Sequence, residues 1–158
     1  MRIVLAGATG AIGKRLLPLL RKAGHHVVGT TRSGAKSAAL RATGVEAVVV
    51  DVFDAAALSR AVADARPDIV MHQLTDLPPG LDPARMAEAG PRNARIRREG
   101  TENLVRAALA AGVRRLIAQS IAWMYAARPQ PYTEADPLDI EAQGRAQSRW
   151  RVSLRSSG

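Results

Sequence analysis

The sequence predicts an α/β protein: a doubly wound parallel sheet of five strands in the order 3-2-1-4-5, with helices on both faces in a three-layer αβα arrangement. Three observations lead there. Short, near-continuously apolar runs alternate with longer segments rich in Ala, Leu and Arg. Strands that are apolar at every position are buried on both faces, as in parallel sheets packed between helices. The first run is followed at once by Gly7-Ala8-Thr9-Gly10-Ala11-Ile12-Gly13 and then by a helical pattern, so the chain opens on a strand, a glycine turn and a helix. Strands joined by helices make right-handed βαβ units.

The elements follow in order. Residues 2–6 form the first strand, and Lys14–Ala23 the first helix, with Pro18 inside it as an expected kink. His26–Thr30 is the second strand, Lys36–Ala42 the second helix, Ala47–Val50 the third strand and Ala55–Ala65 the third helix. Pro67 precedes the fourth strand, Asp68–Met71. Residues 76–93 read as a loop with a short helix, bracketed by Leu77-Pro78-Pro79-Gly80 and Gly90-Pro91. Gly100–Ala111 is the next helix and Arg115–Ala118 the fifth strand. Gly24, Gly44 and Gly112 each follow a helical pattern, where a left-handed C-terminal cap favours glycine. Arg128 to Pro137 is loop-like, with three prolines. Past Gln143 the pattern fades into an Arg-rich end without acids. The expected organisation is one domain over residues 1–142 and a poorly ordered or truncated tail over 143–158.

Composition removes several classes. The chain has 158 residues, 47% of them hydrophobic, enough for one well-packed core. No apolar run approaches the roughly 20 residues of a membrane helix, and the N-terminus lacks the layout of a signal peptide. There is no cysteine, hence no disulfide, thiolate metal site or cysteine nucleophile. A cytoplasmic protein is the expectation. The net charge of +9 could suit nucleic acid, but 20 of the 23 basic residues are Arg spread along the chain, and the 5 aromatics do not interleave with them. Nucleic-acid binding is therefore not expected; the charge would attract an anionic small molecule.

The glycine segment supplies that anion's site. Gly7 allows a tight turn, Gly10 lets backbone approach a pyrophosphate, and Gly13 lets helix and strand pack closely. Thr9, Ala11 and Ile12 complete the loop, and the helix N-terminus adds unpaired N–H groups and a partial positive charge. The predicted ligand is a dinucleotide, and the fold a Rossmann type.

With these residues placed, the chain resembles the N-terminal, cofactor-binding part of an extended or atypical short-chain dehydrogenase/reductase, the NAD(P)-dependent epimerase/dehydratase family. The resemblance covers roughly residues 1–140. It rests on Gly7, Gly10 and Gly13; on Asp51-Val52; on Asp68-Ile69-Val70-Met71-His72; on Gly100-Thr101-Glu102-Asn103-Leu104 running to Ala110-Ala111-Gly112-Val113; and on Gln119-Ser120-Ile121-Ala122-Trp123-Met124-Tyr125. It implies that Asp51 accepts from the adenine amino group, that Val52 packs on the ring, that Gln73, Leu74 and Thr75 line a cofactor ribose, and that Ser120, in the segment to which the fifth strand leads, is among the cofactor-binding residues. Asp51 could instead cap the following helix, and Asp54 is better placed to do so.

The second strand speaks to cofactor choice. An acid at its end would bind the ribose 2′-hydroxyl of NAD, and a nearby arginine would accommodate the 2′-phosphate of NADP. Here Thr31 occupies the acid's position and Arg32 follows. A guanidinium fork suits phosphate, so NADP is expected ahead of NAD. His72 reads as a hydrogen-bonded structural histidine, and His25 and His26 as a poor chelating pair; no metal site is expected.

Catalytic residues are not found. The family's chemistry uses a tyrosine with a lysine four residues later and an assisting serine or threonine. No Tyr-x-x-x-Lys occurs, Tyr125 and Tyr132 being followed by Pro129 and Asp136, and no lysine follows Lys36. Ile121 stands at the assisting position, Arg97 where an asparagine is common, and Glu141 to Ser148 contains no tyrosine. The resemblance thus implies the cofactor half of an oxidoreductase or epimerase-like enzyme, truncated before its substrate domain and inactive alone. The alternative is a non-catalytic, NADP-sensing regulatory protein. The Gly100–Ala111 helix is the candidate surface for a homodimer.

Overall fold

The computed structural model describes residues 1–78, 80, 82–120, 125–126 and 131–138. They fall into two compact units, Met1–Thr75 with Glu99–Gln119, and Asp76–Arg98 with the chain from Ser120 onward. The tail beyond 142, Ile121 and the Glu141–Ser148 stretch lie outside the described residues. Among the described residues no helix is long and apolar enough to cross a membrane.

The first unit is the predicted sheet. Strands β1 (Arg2–Ala6), β2 (His26–Thr31), β3 (Glu46–Val49), β4 (Ile69–His72) and β5 (Arg115–Ala118) are all parallel, in the order β3-β2-β1-β4-β5. Helices α1 (Gly13–Lys22), α2 (Gly34–Ala42) and α3 (Ala55–Ala65) make the first crossovers. The register is flush at the C-terminal edge: Ala6 stands opposite both Thr30 and His72, and His72 opposite Ala118. That alignment brings the loops leaving the strands to one edge.

Side-chain alternation sorts the core into two layers. Val4, Ala6, Val28 and Val70 face α3 and a fifth helix, α5 (Thr101–Ala110; α4 is described below), meeting Leu58, Val62, Leu104 and Ala107. Ile3, Leu5, Val27 and Ile69 face the other way, meeting Leu17 and Leu20 of α1 and Leu40 of α2. Both layers are closed because the central positions of β1, β2 and β4 carry apolar side chains on both faces.

The ends of the elements have local causes. Ser33 caps α2 by accepting from the Lys36 amide at 3.3 Å, and Asp54 caps α3 by accepting from the Ala57 amide at 2.9 Å. Gly24, Gly44 and Gly112 take the left-handed conformation as expected. Pro18 is exposed, and α1 continues through it. Asp68 stays out of β4, because its carboxylate accepts from the Arg2 amide at 2.8 Å at the entry to β1. Glu46, the first residue of β3, accepts from His26 at 2.9 Å and pairs with Arg2 at 2.8 Å. The His26 hydrogen bond, and then the Arg2 charge, hold its carboxyl below the usual glutamate pKa.

A buried hydroxyl in α2 is unsatisfied. Ser37, on the inner face of α2, is fully buried and its hydroxyl has no partner. An orphaned buried hydroxyl is costly, and alanine is the better helix former. S37A is expected to stabilise the protein by about 1 kcal/mol, raising the thermal midpoint by roughly 2–4 °C. An unchanged or lower midpoint by circular dichroism would refute this.

In the second unit, α4 (Pro83–Arg95) corrects the expectation of a short helix within 76–93. It is capped by Asp82, which accepts from the Ala84 amide at 3.0 Å, and it runs on through Gly90 and Pro91. A proline costs one helical hydrogen bond, but the residues just beyond it are anchored. Arg92 pairs with Asp76 at 2.6 Å and with Glu88 at 2.9 Å, and the buried Asn93 accepts from the Asp76 amide at 3.2 Å. A π-helical turn, Ile96–Gly100, follows α4. Its Arg97 is buried, and burial lowers its pKa. Tyr125 and Tyr132 stack, with ring centroids 5.5 Å apart and planes 16° apart, and Tyr125 bridges Leu138. A turn at residues 133–136 is closed by Asp136, whose carboxylate accepts from the Thr133 amide at 2.5 Å.

Candidate functional site

The glycine turn sits at the C-terminal end of β1, where strand order reverses between β1 and β4. Gly7 has φ +91°, and a Cβ there would lie 2.6 Å from the Gln73 carbonyl oxygen. A Cβ on Gly13 would lie 2.2 Å from the Gly7 oxygen and 2.8 Å from Ala8 backbone. Both glycines are therefore required by the protein itself. Gly10 differs: it is exposed, its φ is not positive, and a Cβ would come no nearer than 3.3 Å to any protein atom. The turn is closed by the Gly10 amide donating to Gly7 at 3.0 Å, and α1 begins with the Lys14 amide donating to Gly10 at 3.0 Å. Ala11 and Ile12 are exposed and Thr9 half-buried along this loop. No side chain caps α1 and no acid stands in its first turn, so its positive end is open to an anion.

The neighbouring strands end in line with it. Thr31 is buried, and its hydroxyl accepts from the Ser33 amide at 3.2 Å, turning the chain into α2. Arg32 is exposed and makes no ion pair with a described residue. It stands at the N-terminus of α2, whose first turn also lacks an acid. After β3, the Asp51 carboxylate accepts from the Phe53 amide at 3.0 Å, a tight side-chain turn, while capping of α3 is done by Asp54. Asp51 is exposed; Val52 is 7% exposed and belongs to the apolar cluster with Leu58.

After β4, the Gln73 amide continues the ladder to Ala6 at 2.8 Å. The Gln73 side-chain oxygen is buried without a partner; Leu74 is half-buried and Thr75 exposed. His72 is the structural histidine expected. Its Nδ1 accepts from the Leu74 amide at 3.1 Å, which leaves Nε2–H to donate to Thr101 Oγ1 at 2.8 Å. Thirteen of the fourteen residues singled out in the sequence thus lie in the four loops of the first unit. Ser120, exposed beyond β5, belongs to the second unit.

Several residues that shape these loops were not singled out. Asn103 on α5 is buried and donates its amide to the Val52 carbonyl at 2.9 Å. Gly29 on β2 leaves room for the loop, since a Cβ there would lie 2.9 Å from the Ala8 methyl. A glycine inside an apolar strand signals such a close approach. Arg15 reaches back to the Ala11 carbonyl at 3.0 Å.

A separate cleft of about 370 Å³ is lined by Arg21, Gly24, His25, His26, Val27, Gly44 and Val45. It lies at the opposite, N-terminal edge of the sheet, beside the C-terminal ends of α1 and α2. Those ends carry negative partial charge, and Arg21 there donates to the Thr43 carbonyl at 2.5 Å. It offers an anionic dinucleotide nothing comparable to the glycine turn. Among the described residues no His, Asp or Glu cluster could hold a metal ion.

Known proteins bear on this geometry. A family model described as NAD(P)H-binding matches residues 7–158. A 3-diazoavenalumate denitrifying reductase from a Streptomyces species is 46% identical over 144 residues, which is 90% of this chain and 45% of that protein. A UDP-glucose 4-epimerase from Mycolicibacterium smegmatis is 28% identical over 145 residues, 89% of this chain and 45% of that one. Among solved structures, the Stenotrophomonas maltophila UDP-glucose-4-epimerase with bound NAD and formylated UDP-arabinopyranose superposes with a TM-score of 0.75 at 21% identity, over 95% of this chain and 45% of that one. The Thermus thermophilus UDP-glucose 4-epimerase complex with NAD gives 0.73 at 22% identity, over 95% and 46%. This chain spans about half the length of the curated relatives it matches.

Proposed function

The chain belongs to the NAD(P)H-binding family and carries its Rossmann cofactor domain, and from that premise we propose that it is the cofactor-binding half of an NADPH-dependent reductase. The observation that carries this reading is Gly10: its φ is not positive and an added Cβ would meet only the Gly7 oxygen, at 3.3 Å, so the protein constrains it far less than Gly7 or Gly13, and a ligand lying against the turn would account for glycine there. The residues fit a dinucleotide along the whole C-terminal edge. The pyrophosphate would sit on Thr9, Gly10, Ala11, Ile12 and Gly13 at the open N-terminus of α1. Arg32 would meet the 2′-phosphate at the N-terminus of α2. Asp51 would accept from the adenine amino group above Val52. The other half of the ligand would run towards β4, over Gln73, Leu74 and Thr75, and Ser120 is the remaining residue we assign to the cofactor.

When bound, the dinucleotide supplies a hydride for reduction of an electrophilic substrate. This chain's residues would bind and orient it. The reductase reading is favoured by the 46% identical reductase over the more distant epimerases. Pairing of two copies through the exposed side of α5, around Leu109, would complete the assembly; sedimentation tests it.

Calorimetry with NADPH and NADH tests the cofactor assignment. R32A is expected to weaken NADPH by about 10–100-fold, the worth of a charged hydrogen bond, and NADH by less than about three-fold. Equal losses on both would refute the NADP preference. No binding of either by the unaltered chain would refute the function.

A further inference from the structure

We propose that Thr101 and Asn103 are positioning residues that set, from one helix, the two loops on either side of the glycine turn. The proposal rests on the dinucleotide site described above. Successive helical residues are about 100° apart. Asn103 and Thr101 therefore stand at the two edges of the buried arc of α5, with Leu104, Ala107 and Ala108 between them.

Each edge reaches a different loop. Asn103 donates to the Val52 carbonyl at 2.9 Å and so holds the turn that presents Asp51. Thr101 accepts from His72 at 2.8 Å, and the other ring nitrogen of His72 accepts from the Leu74 amide at 3.1 Å. That second chain of contacts ends at the glycine turn, because the Gln73–Leu74 peptide occupies the space a Gly7 side chain would need. Thr101 and Asn103 are 3% and 8% exposed, so neither is placed to touch a ligand. Their polar groups serve the loops. The apolar stripe between them seats α5 on the sheet. Asn103 governs the adenine end of the ligand and Thr101 the end over β4.

The test is a split between ligands, measured by calorimetry on the full chain with NADPH and with 2′,5′-ADP, its adenosine half. N103L removes the donor while keeping an apolar shape, and is expected to weaken both ligands by about ten-fold. T101V keeps the shape and removes the hydroxyl; it is expected to weaken NADPH by about ten-fold and 2′,5′-ADP by less than about two-fold. A merely structural role would lower both ligands together in both variants, and that pattern overturns the proposal. Unaltered affinities in both variants overturn it equally. Failure of the unaltered chain to bind NADPH overturns the site itself, and this proposal with it. Should N103L not fold, T101V shows the split by itself.

Discussion

Replacing Gly13 by alanine is expected to cost roughly 3 kcal/mol, the upper end for overpacking a closed site, and to lower the thermal midpoint by roughly 6–12 °C. The added Cβ would lie 2.2 Å from the Gly7 oxygen and 2.8 Å from two Ala8 backbone atoms. None of these is the end of a flexible side chain, so relief requires α1 to move off β1. That movement is opposed from two sides. Leu17 and Leu20 of α1 are packed into the lower apolar layer, and Ala8 is wedged against Gly29 of β2. The same displacement spoils the glycine turn, since the Gly10 amide bonds to the oxygen that the new methyl would strike. NADPH binding should therefore fall by about 100-fold or more, some 2.7 kcal/mol. A melting curve and a calorimetric titration check both halves. An unshifted midpoint would mean that the close helix–strand contact does not govern the turn.

The strands and their order were legible because parallel strands between helices write their burial as unbroken apolar runs, and Ile3 to Ala6 and Ile69 to Met71 do so. The boundaries moved by a residue or two where a side chain took up a capping or pairing role, as Asp68 does for Arg2. Helix α4 was underestimated because Gly90-Pro91 is a strong local stop signal, whereas Arg92 and Asn93 answer to partners 16 and 17 residues away. The glycine spacing could be read because the positive φ of Gly7 and the Gly13–Gly7 contact are local, whereas the Gln73 carbonyl that also excludes a Gly7 side chain comes from 66 residues away. The polar contacts behind it could not. Thr101 meets His72 across 29 residues and Asn103 meets Val52 across 51, and no local pattern encodes a contact made only when α5 docks on the sheet.

The contrast between glycines supplies the second large effect. Gly10→Ala is expected to leave stability within about 0.5 kcal/mol, as for a surface substitution, because the new Cβ meets nothing closer than the Gly7 oxygen at 3.3 Å and the residue is exposed. The smaller entropy of the unfolded alanine chain offsets part of any local crowding. Yet the methyl points to where a pyrophosphate would need backbone contact at the open end of α1. Dinucleotide affinity should fall by about 100-fold, or 2.7 kcal/mol, with no change in the melting curve. G13A loses fold and ligand together, whereas G10A should lose the ligand alone. That separation is what distinguishes a glycine kept for packing from one kept for a bound phosphate. If G10A binds NADPH as the unaltered chain does, the ligand does not lie on this turn, and the exposed loop would be a connection between β1 and α1 only.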